Sequence, residues 1–468
     1  MNVHMRKAQG MISPPLALEI EALRIRFLGL IALGDDPDYE TLRAVASSNW
    51  DHRPMLIARV ANAADVADVV DFARRNMLEI AVRSGGHSVC GHSTSEGGVV
   101  IDLRDLKAID IDLDEMTVWA GSGLTAGEVT RALDGHGVAV GFGDSASVGI
   151  GGLTLGGGVG YLTRKLGLTI DALIAAEIVT ASGSILTVSE SSYPDLFWAI
   201  RGGGGNFGIV TRFCYRLSPL PEFVGGPLIL PATPENIVGF VAAAKVAPDD
   251  LTTILMVMPA PPMPFIPPGL VGKTVLLCMM AYAGPAAEAD HALAPFRALD
   301  NAIADLVRPG PYGMMYLPEA PGPVPTVSIR SLFRDDIDLA DASEIIKRLD
   351  LCEAPMRVAQ IRILGGAASR IPAEATAYAH RDAEILVAFM AMDNSVEAAV
   401  AHERWTGVCT LSLGGAQDRG TYVNFLAEQG EDMVRASYGD QNWQRLRQVK
   451  HQYDPTNLFR RNHNIPPA

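Results

Sequence analysis

The sequence predicts an α+β chain in two parts, and three observations predict it. Glycine clusters of ordered, non-repetitive composition punctuate residues 83–211. Strand–helix–strand patterning surrounds the first cluster, the order of an α/β layer. After residue 217 the pattern changes to well-spaced strand-like runs with helix-like segments between them, which suits an antiparallel sheet covered by helices. At 468 residues the chain is long enough for two to four domains with sizeable cores.

Taken in order, residues 1–40 read as an N-terminal extension, with an amphipathic helix over Leu16–Leu33 and a turn at Gly34-Asp35-Asp36-Pro37. The helix carries Glu19, Glu21, Arg24 and Arg26, so it is not a membrane span, and no cleavage-site pattern follows it. Residues 55–80 read as a strand, a helix over Ala61–Arg75 and a second strand ending Ile80-Ala81-Val82. There the chain opens into Arg83-Ser84-Gly85-Gly86-His87-Ser88. A strand opening into such a turn offers bare backbone N–H groups as a nest beside one cation, an arrangement suited to a pyrophosphate. A second glycine cluster runs from Val148 to Gly160, followed by a strand-like run at Leu173–Thr180. A third follows a helix at 194–201 and precedes Ile209-Val210-Thr211.

Ser218-Pro219-Leu220-Pro221 closes this part. Strand-like runs then appear at 226–230, 252–258, 272–281, 356–364 and 385–392, with a helix-like segment at 284–306. Pro259–Pro268 holds six prolines in ten residues and reads as a loop. Residues 309–326 form a second Pro- and Gly-rich loop containing Tyr312, Met314, Met315 and Tyr316, either a plain loop or a lid over an apolar substrate. The division expected is 1–40, 41–217, 218–420 and 421–468, the last returning to the first domain.

Composition excludes several functions. A net charge of −15 argues against nucleic acid and anionic membrane as partners. Five scattered cysteines without C-x-x-C spacing read as buried thiols in a reducing, cytoplasmic setting, and no metal is expected. Gly203-Gly204-Gly205-Asn206-Phe207-Gly208 satisfies G-x-G-x-x-G, but it lies between a helix and a strand, the reverse of the Rossmann order. No P-loop sequence occurs.

Together the three blocks, over residues 48–216, resemble the FAD-binding domain of the vanillyl-alcohol oxidase/p-cresol methylhydroxylase superfamily. The tail supports this with Thr421-Tyr422-Val423-Asn424-Phe425, Tyr453-Asp454-Pro455 and Asn462-His463-Asn464-Ile465-Pro466. The resemblance is to its berberine bridge enzyme-like oxidases, and within them to single-His members. It implies a two-part, PCMH-type FAD-binding domain with a separate substrate domain. FAD is then expected along Arg83, Ser84, Gly85, Gly86, His87, Ser88, Gly91 and His92 of the first block. The second block contributes Val148, Gly149, Gly151, Gly152, Thr154, Leu155, Gly158, Gly160 and Tyr161. Gly208, Ile209 and Val210 of the third block and Tyr422, Asn424, Asn462 and Asn464 of the tail complete the set. The resemblance further implies a covalent bond from His87 to the flavin 8α-methyl. Relatives with a second link carry a Cys where this chain has Ser145, so a single link is expected.

On the strand Met356–Leu364, alternation places Gln360, Arg362 and Leu364 on one face, where relatives carry reactive groups. Gln is never a base and Arg stays protonated. Arg362 could therefore bind a substrate anion or stabilise reduced flavin, or simply pair with an acid. Tyr422 is the remaining titratable candidate, as a phenol whose pKa Arg362 could lower. Tyr312, Tyr316, Tyr378 and Trp405 could line an apolar pocket or be plain core. The expectation is a monomeric or homodimeric oxidase acting on a small, largely apolar amine, alcohol or phenol. Val148, beside the flavin carbon that meets dioxygen in relatives, favours dioxygen as acceptor. The alternatives are a dehydrogenase using another acceptor and a flavin-binding protein with little turnover.

Overall fold

Valine-rich periodicity in Ala63–Arg75 makes one helical face apolar, and Asn62 caps that helix by accepting a hydrogen bond from the Asp65 N–H. The face buries Val66, Val69, Val70 and Phe72 against Leu56, Ala58, Val99 and Ile101 of the first sheet. The computed structural model from which this fold is drawn describes residues 13–316, 322–415, 420–427 and 430–468. The strand–helix–strand reading holds, with one addition: Val99–Asp102 lies between Leu56–Arg59 and Ile80–Arg83, parallel to both.

The segment read as one helix to Leu33 is a helix only over Pro14–Arg26; Leu30–Leu33 is a strand antiparallel to Leu56–Arg59. The physical reason is the Asp65 carboxylate, which accepts from the Leu28 and Gly29 N–H groups at 3.0 Å each and turns the chain out of the helix. The extension thus supplies an edge strand to the first sheet. Among the described residues, no helix is long and apolar enough to cross a membrane.

A second, five-stranded antiparallel sheet has the order 109–112, 117–121, 209–216, 173–179, 185–189. The third sheet runs 304–305, 224–231, 274–282, 251–259, 356–363, 385–393, 326–334. One of its faces, with Leu255, Cys278, Ala359, Ile361, Val387 and Phe389, is covered by the helices Pro234–Lys245, Ala286–Arg297, Leu339–Asp350 and Ala399–Ser412. The opposite face, with Ile254, Leu277 and Met279, packs on Ala139, Tyr161 and Leu162 of the glycine-rich part. The helix expected over 284–306 stops at Arg297, and Ala304–Asp305 joins the sheet. The proline run is a loop, closed by a 3-10 turn at Pro268–Leu270. Within 309–326 a 3-10 turn buries Tyr312 and Met315; residues 317–321 lie outside the described set.

Residues 421–468 return to the first part through a fully buried ion pair. Lys450 Nζ donates to Asp454 at 2.6 Å, to the Asn206 carbonyl at 2.8 Å and to the Phe459 carbonyl at 2.9 Å. Its three donors are therefore all used, which is what offsets burial of the charge. Lys450→Met leaves Asp454 buried without its cation. It is expected to cost about 3–5 kcal/mol, read as a lower denaturant midpoint at an unchanged slope.

Candidate flavin site

Two loops that lack side chains meet backbone to backbone. A Cβ on Gly85 would lie 2.3 Å from the Gly149 nitrogen, and one on Gly149 would lie 2.2 Å from the Gly85 nitrogen. Only glycine permits this approach. Ser84 locks the junction: its Oγ donates to the Ser122 carbonyl at 2.6 Å and accepts from the Gly151 N–H at 3.3 Å. The turn beyond is closed by Ser88, whose carbonyl accepts from Gly91 and whose Oγ accepts from the His92 N–H. Gly86 has φ +78°, and His87 follows it as an exposed side chain.

The second block continues from this junction. The Val148 carbonyl accepts from Ala126, Thr154 Oγ1 meets the Tyr215 hydroxyl at 2.7 Å, and the Leu155 carbonyl accepts from Gly202. The Gly160 N–H donates to Thr163, and Gly208 leads into the buried strand residues Ile209 and Val210. From the tail, Asn424 donates to the Leu153 carbonyl and to the Tyr422 hydroxyl, and Asn462 donates to the Gly205 and Phe459 carbonyls. Asn206, unassigned in the sequence reading, is fully buried; it donates to the Gly203 and His463 carbonyls and accepts from the Ile465 N–H. The four elements named for the cofactor are thus brought together.

Arg83 requires a correction. Its guanidinium does not serve as a cation facing a ligand: it is buried and donates to the carbonyls of Leu42, Arg43, Ala44 and Ser93. Burial pulls its pKa down to about 10, and those carbonyls occupy four of its five N–H donors. The nest remains as backbone only. His92 sets its ring against His463, edge to face with centroids 4.8 Å apart. Burial holds His92 well below the ordinary histidine range and His463 down to about 4, so both are neutral at pH 7.

The residues of the strand Met356–Ile363 face as alternation predicts. Arg362 donates from Nη2 to Asp144 at 2.6 Å and to Gln360 Oε1 at 2.8 Å, with its guanidinium over the Phe425 ring at 4.7 Å. Its acidic partner comes from the glycine-rich part, next to Ser145, and not from the strand. Asp144 was missed because no sequence signal links it to a residue so distant. Nε and Nη1 of Arg362 are buried without a protein partner.

Tyr422 accepts hydrogen bonds from the Gly158 N–H at 3.0 Å and from Asn424 at 2.9 Å. The expected lowering of its pKa does not occur: burial raises it, and those hydrogen bonds and the Arg362 charge fall short of offsetting that. Burial therefore works against the Tyr422 phenol giving up its proton. Of the aromatic candidates, Tyr312 and Tyr316 cluster with Tyr161, and Tyr378 packs on Tyr422. Trp405 does not belong to them. It packs on Phe389 under the helical layer, across the sheet from Arg362.

The arrangement fits FAD. The Oδ1 atoms of Asn462 and Asn464 are buried without protein partners, and Gly152 and Gly205 border open space where a side chain would intrude. Fold and site define a flavin-dependent oxidoreductase. Comparison agrees: a family described as FAD binding domain matches residues 54–189, and one described as berberine and berberine like matches 421–466. The chain is 31% identical over 461 residues to the uncharacterized FAD-linked oxidoreductase YgaK of Bacillus subtilis, covering 95% of this chain and 98% of that one. It is 30% identical to (R)-6-hydroxynicotine oxidase of Paenarthrobacter nicotinovorans, covering 94% and 97%. The crystal structure of 6-hydroxy-D-nicotine oxidase from Arthrobacter nicotinovorans superposes with a TM-score of 0.85 at 27% identity, covering 94% and 98%. The chain belongs to the berberine bridge enzyme-like family of FAD-linked oxidoreductases.

Gly85→Ala would drive a methyl group into the Gly149 backbone and part the two loops. It is expected to leave the substrate-domain sheet folded while abolishing flavin incorporation, measured as the ratio of flavin to protein absorbance.

Proposed function

We propose that this chain is a cytoplasmic oxidase acting on a small, largely apolar amine, with a single covalent link from His87 to FAD; alcohols and phenols are the second choice. FAD held there would supply the hydride acceptor, with dioxygen as the final acceptor of the electron pair and hydrogen peroxide as its product. The name of one relative, (R)-6-hydroxynicotine oxidase, supports the oxidase reading. Five buried thiols, none paired among the described residues, support the compartment.

The observation that carries the substrate class is that, among the described residues, no free base stands on the face of Gln360 and Arg362. Gln360 cannot take a proton, Tyr422 is held neutral, and Asp144 is engaged by Arg362. A neutral amine does not need one: as hydride leaves carbon, the nitrogen lone pair forms the C=N bond and the product departs as iminium. Tyr161 and Tyr378 are buried among apolar side chains and the half-buried Tyr316 packs on Tyr161, which is in keeping with a largely apolar substrate. Arg362 holds positive charge on this face, and Tyr422 fixes the Gly158 N–H and the Asn424 side chain.

The deciding experiment is an anaerobic screen of amines, alcohols and phenols for bleaching of the bound flavin. Bleaching by amines, followed by peroxide on admitting air, supports the reading; bleaching confined to alcohols, or none, overturns it. Attachment has its own test. Acid-denatured protein is expected to retain one FAD by mass, and His87→Ala is expected to release it; Ser145, a hydroxyl, cannot form the thioether of doubly linked relatives. Tyr422→Phe is expected to slow flavin reduction about tenfold, the worth of one neutral hydrogen bond. The shape of the pH profile should stay unchanged, because the phenol does not titrate there. Val148→Ile is expected to slow reoxidation by dioxygen while sparing reduction by substrate, since one methylene closes a gas-sized path in a close-packed interior.

A further inference from the structure

The sequence reading expected no metal, yet the fold gathers three ligating side chains outside the reactive face. Cys90 and His92 stand two positions apart in the turn after His87, and His463 reaches them from the tail. The Cys90 Sγ and one ring nitrogen from each histidine all lie within 4.8 Å of one another. Cys90 is 4% exposed and the two imidazoles are half-buried. No hydrogen bond joins either ring to a protein group among the described residues. Each ring can therefore turn a nitrogen to a metal without giving up a protein hydrogen bond.

We propose that Cys90, His92 and His463 form a zinc(II) site with three protein ligands and a fourth position for water. One thiolate and two neutral imidazoles are a borderline-soft donor set that zinc takes at about 2.0–2.3 Å in a tetrahedron. That geometry needs the donor atoms about 3.4–3.8 Å apart, so a contraction of about an ångström, within reach of side-chain rotation, closes the site. Magnesium and calcium are disfavoured, because the set contains no carboxylate. The Cys90 thiol now donates to the Leu426 carbonyl at 3.2 Å. On coordination the S–H bond breaks, its proton leaves to solvent, and the sulfur–zinc bond takes its place with no change of oxidation state.

The metal would act as a staple. It would join the turn 88–92, which follows the flavin-linking histidine, to residues 461–465, which otherwise meet it through Arg461 and the carbonyls of Gly91 and Thr94. The inference stands independently of the proposed substrate and acceptor.

The test uses the flavin-containing protein, stripped with chelator and desalted. With added zinc(II), wild type is expected to retain one equivalent through gel filtration and to unfold at a higher temperature. With cobalt(II), difference spectra against the same flavin concentration should show a thiolate-to-metal band in the near ultraviolet and tetrahedral bands in the visible. Cys90→Ser and His463→Gln should each abolish the retained zinc and the thermal shift, while unfolding at the temperature of metal-free wild type. Zinc retained equally by wild type and Cys90→Ser, or cobalt bound without a thiolate band, would overturn the site. His463→Gln guards the proposal should Cys90→Ser fail to fold.

Discussion

The contact between Gly85 and Gly149 is the constraint on which the flavin site rests. One belongs to the turn after the last strand of the first sheet, the other to the turn that opens the Ile150–Leu155 helix. With backbone against backbone, their N–H groups are aimed by main chain that no side chain can displace. Ser84 then serves both sides at once through Ser122 and Gly151. A site built this way is rigid before any ligand arrives, and a rigid site spends less of its binding free energy on ordering itself.

The helix-covered antiparallel sheet is held to this frame by buried arginines that reach across. Arg164 donates to the carbonyls of Ala247, Leu251 and Leu364, and Arg381 forms a bidentate pair with Asp171 at 2.7 Å. Arg362 with Asp144 is the third such bridge, and the one that also looks onto the reactive face. Planar guanidinium groups suit the task, since each satisfies several carbonyls or a whole carboxylate from one side chain. Nε and Nη1 of Arg362 are left buried without a protein partner.

Much of this was legible in the sequence, for a physical reason. Glycines demanded by close backbone approach leave a mark that survives in the text of the chain, and so do the Tyr422 and Asn424 pair. Alternation placed Gln360 and Arg362 correctly because a strand's period admits no other face. What failed was partner choice. Arg83 beside a glycine nest reads as a ligand cation, yet its partners are carbonyls at 42–44 that only the fold supplies. Trp405 was left open between pocket lining and core and proves to be core; a helix turned toward one face of a sheet is indistinguishable in sequence from one turned toward the other. The strand Thr326–Arg334 and the helix Leu339–Asp350 were passed over, although the latter announces itself with a capping box at Asp338 and Asp341. The meeting of Cys90 and His92 with His463 could not be read at all, since nothing short of the fold brings residues so far apart together.

The buried Lys450 has a consequence for how the protein is made. Its partners Asn206 and Phe459 belong to segments between which the ribosome must complete the entire substrate domain. Pairing so distant along the chain is slow and late to form. A flavin site with its third loop pinned is therefore expected only once residues 421–466 have emerged, so that firm holding of the dinucleotide is coupled to the arrival of that segment.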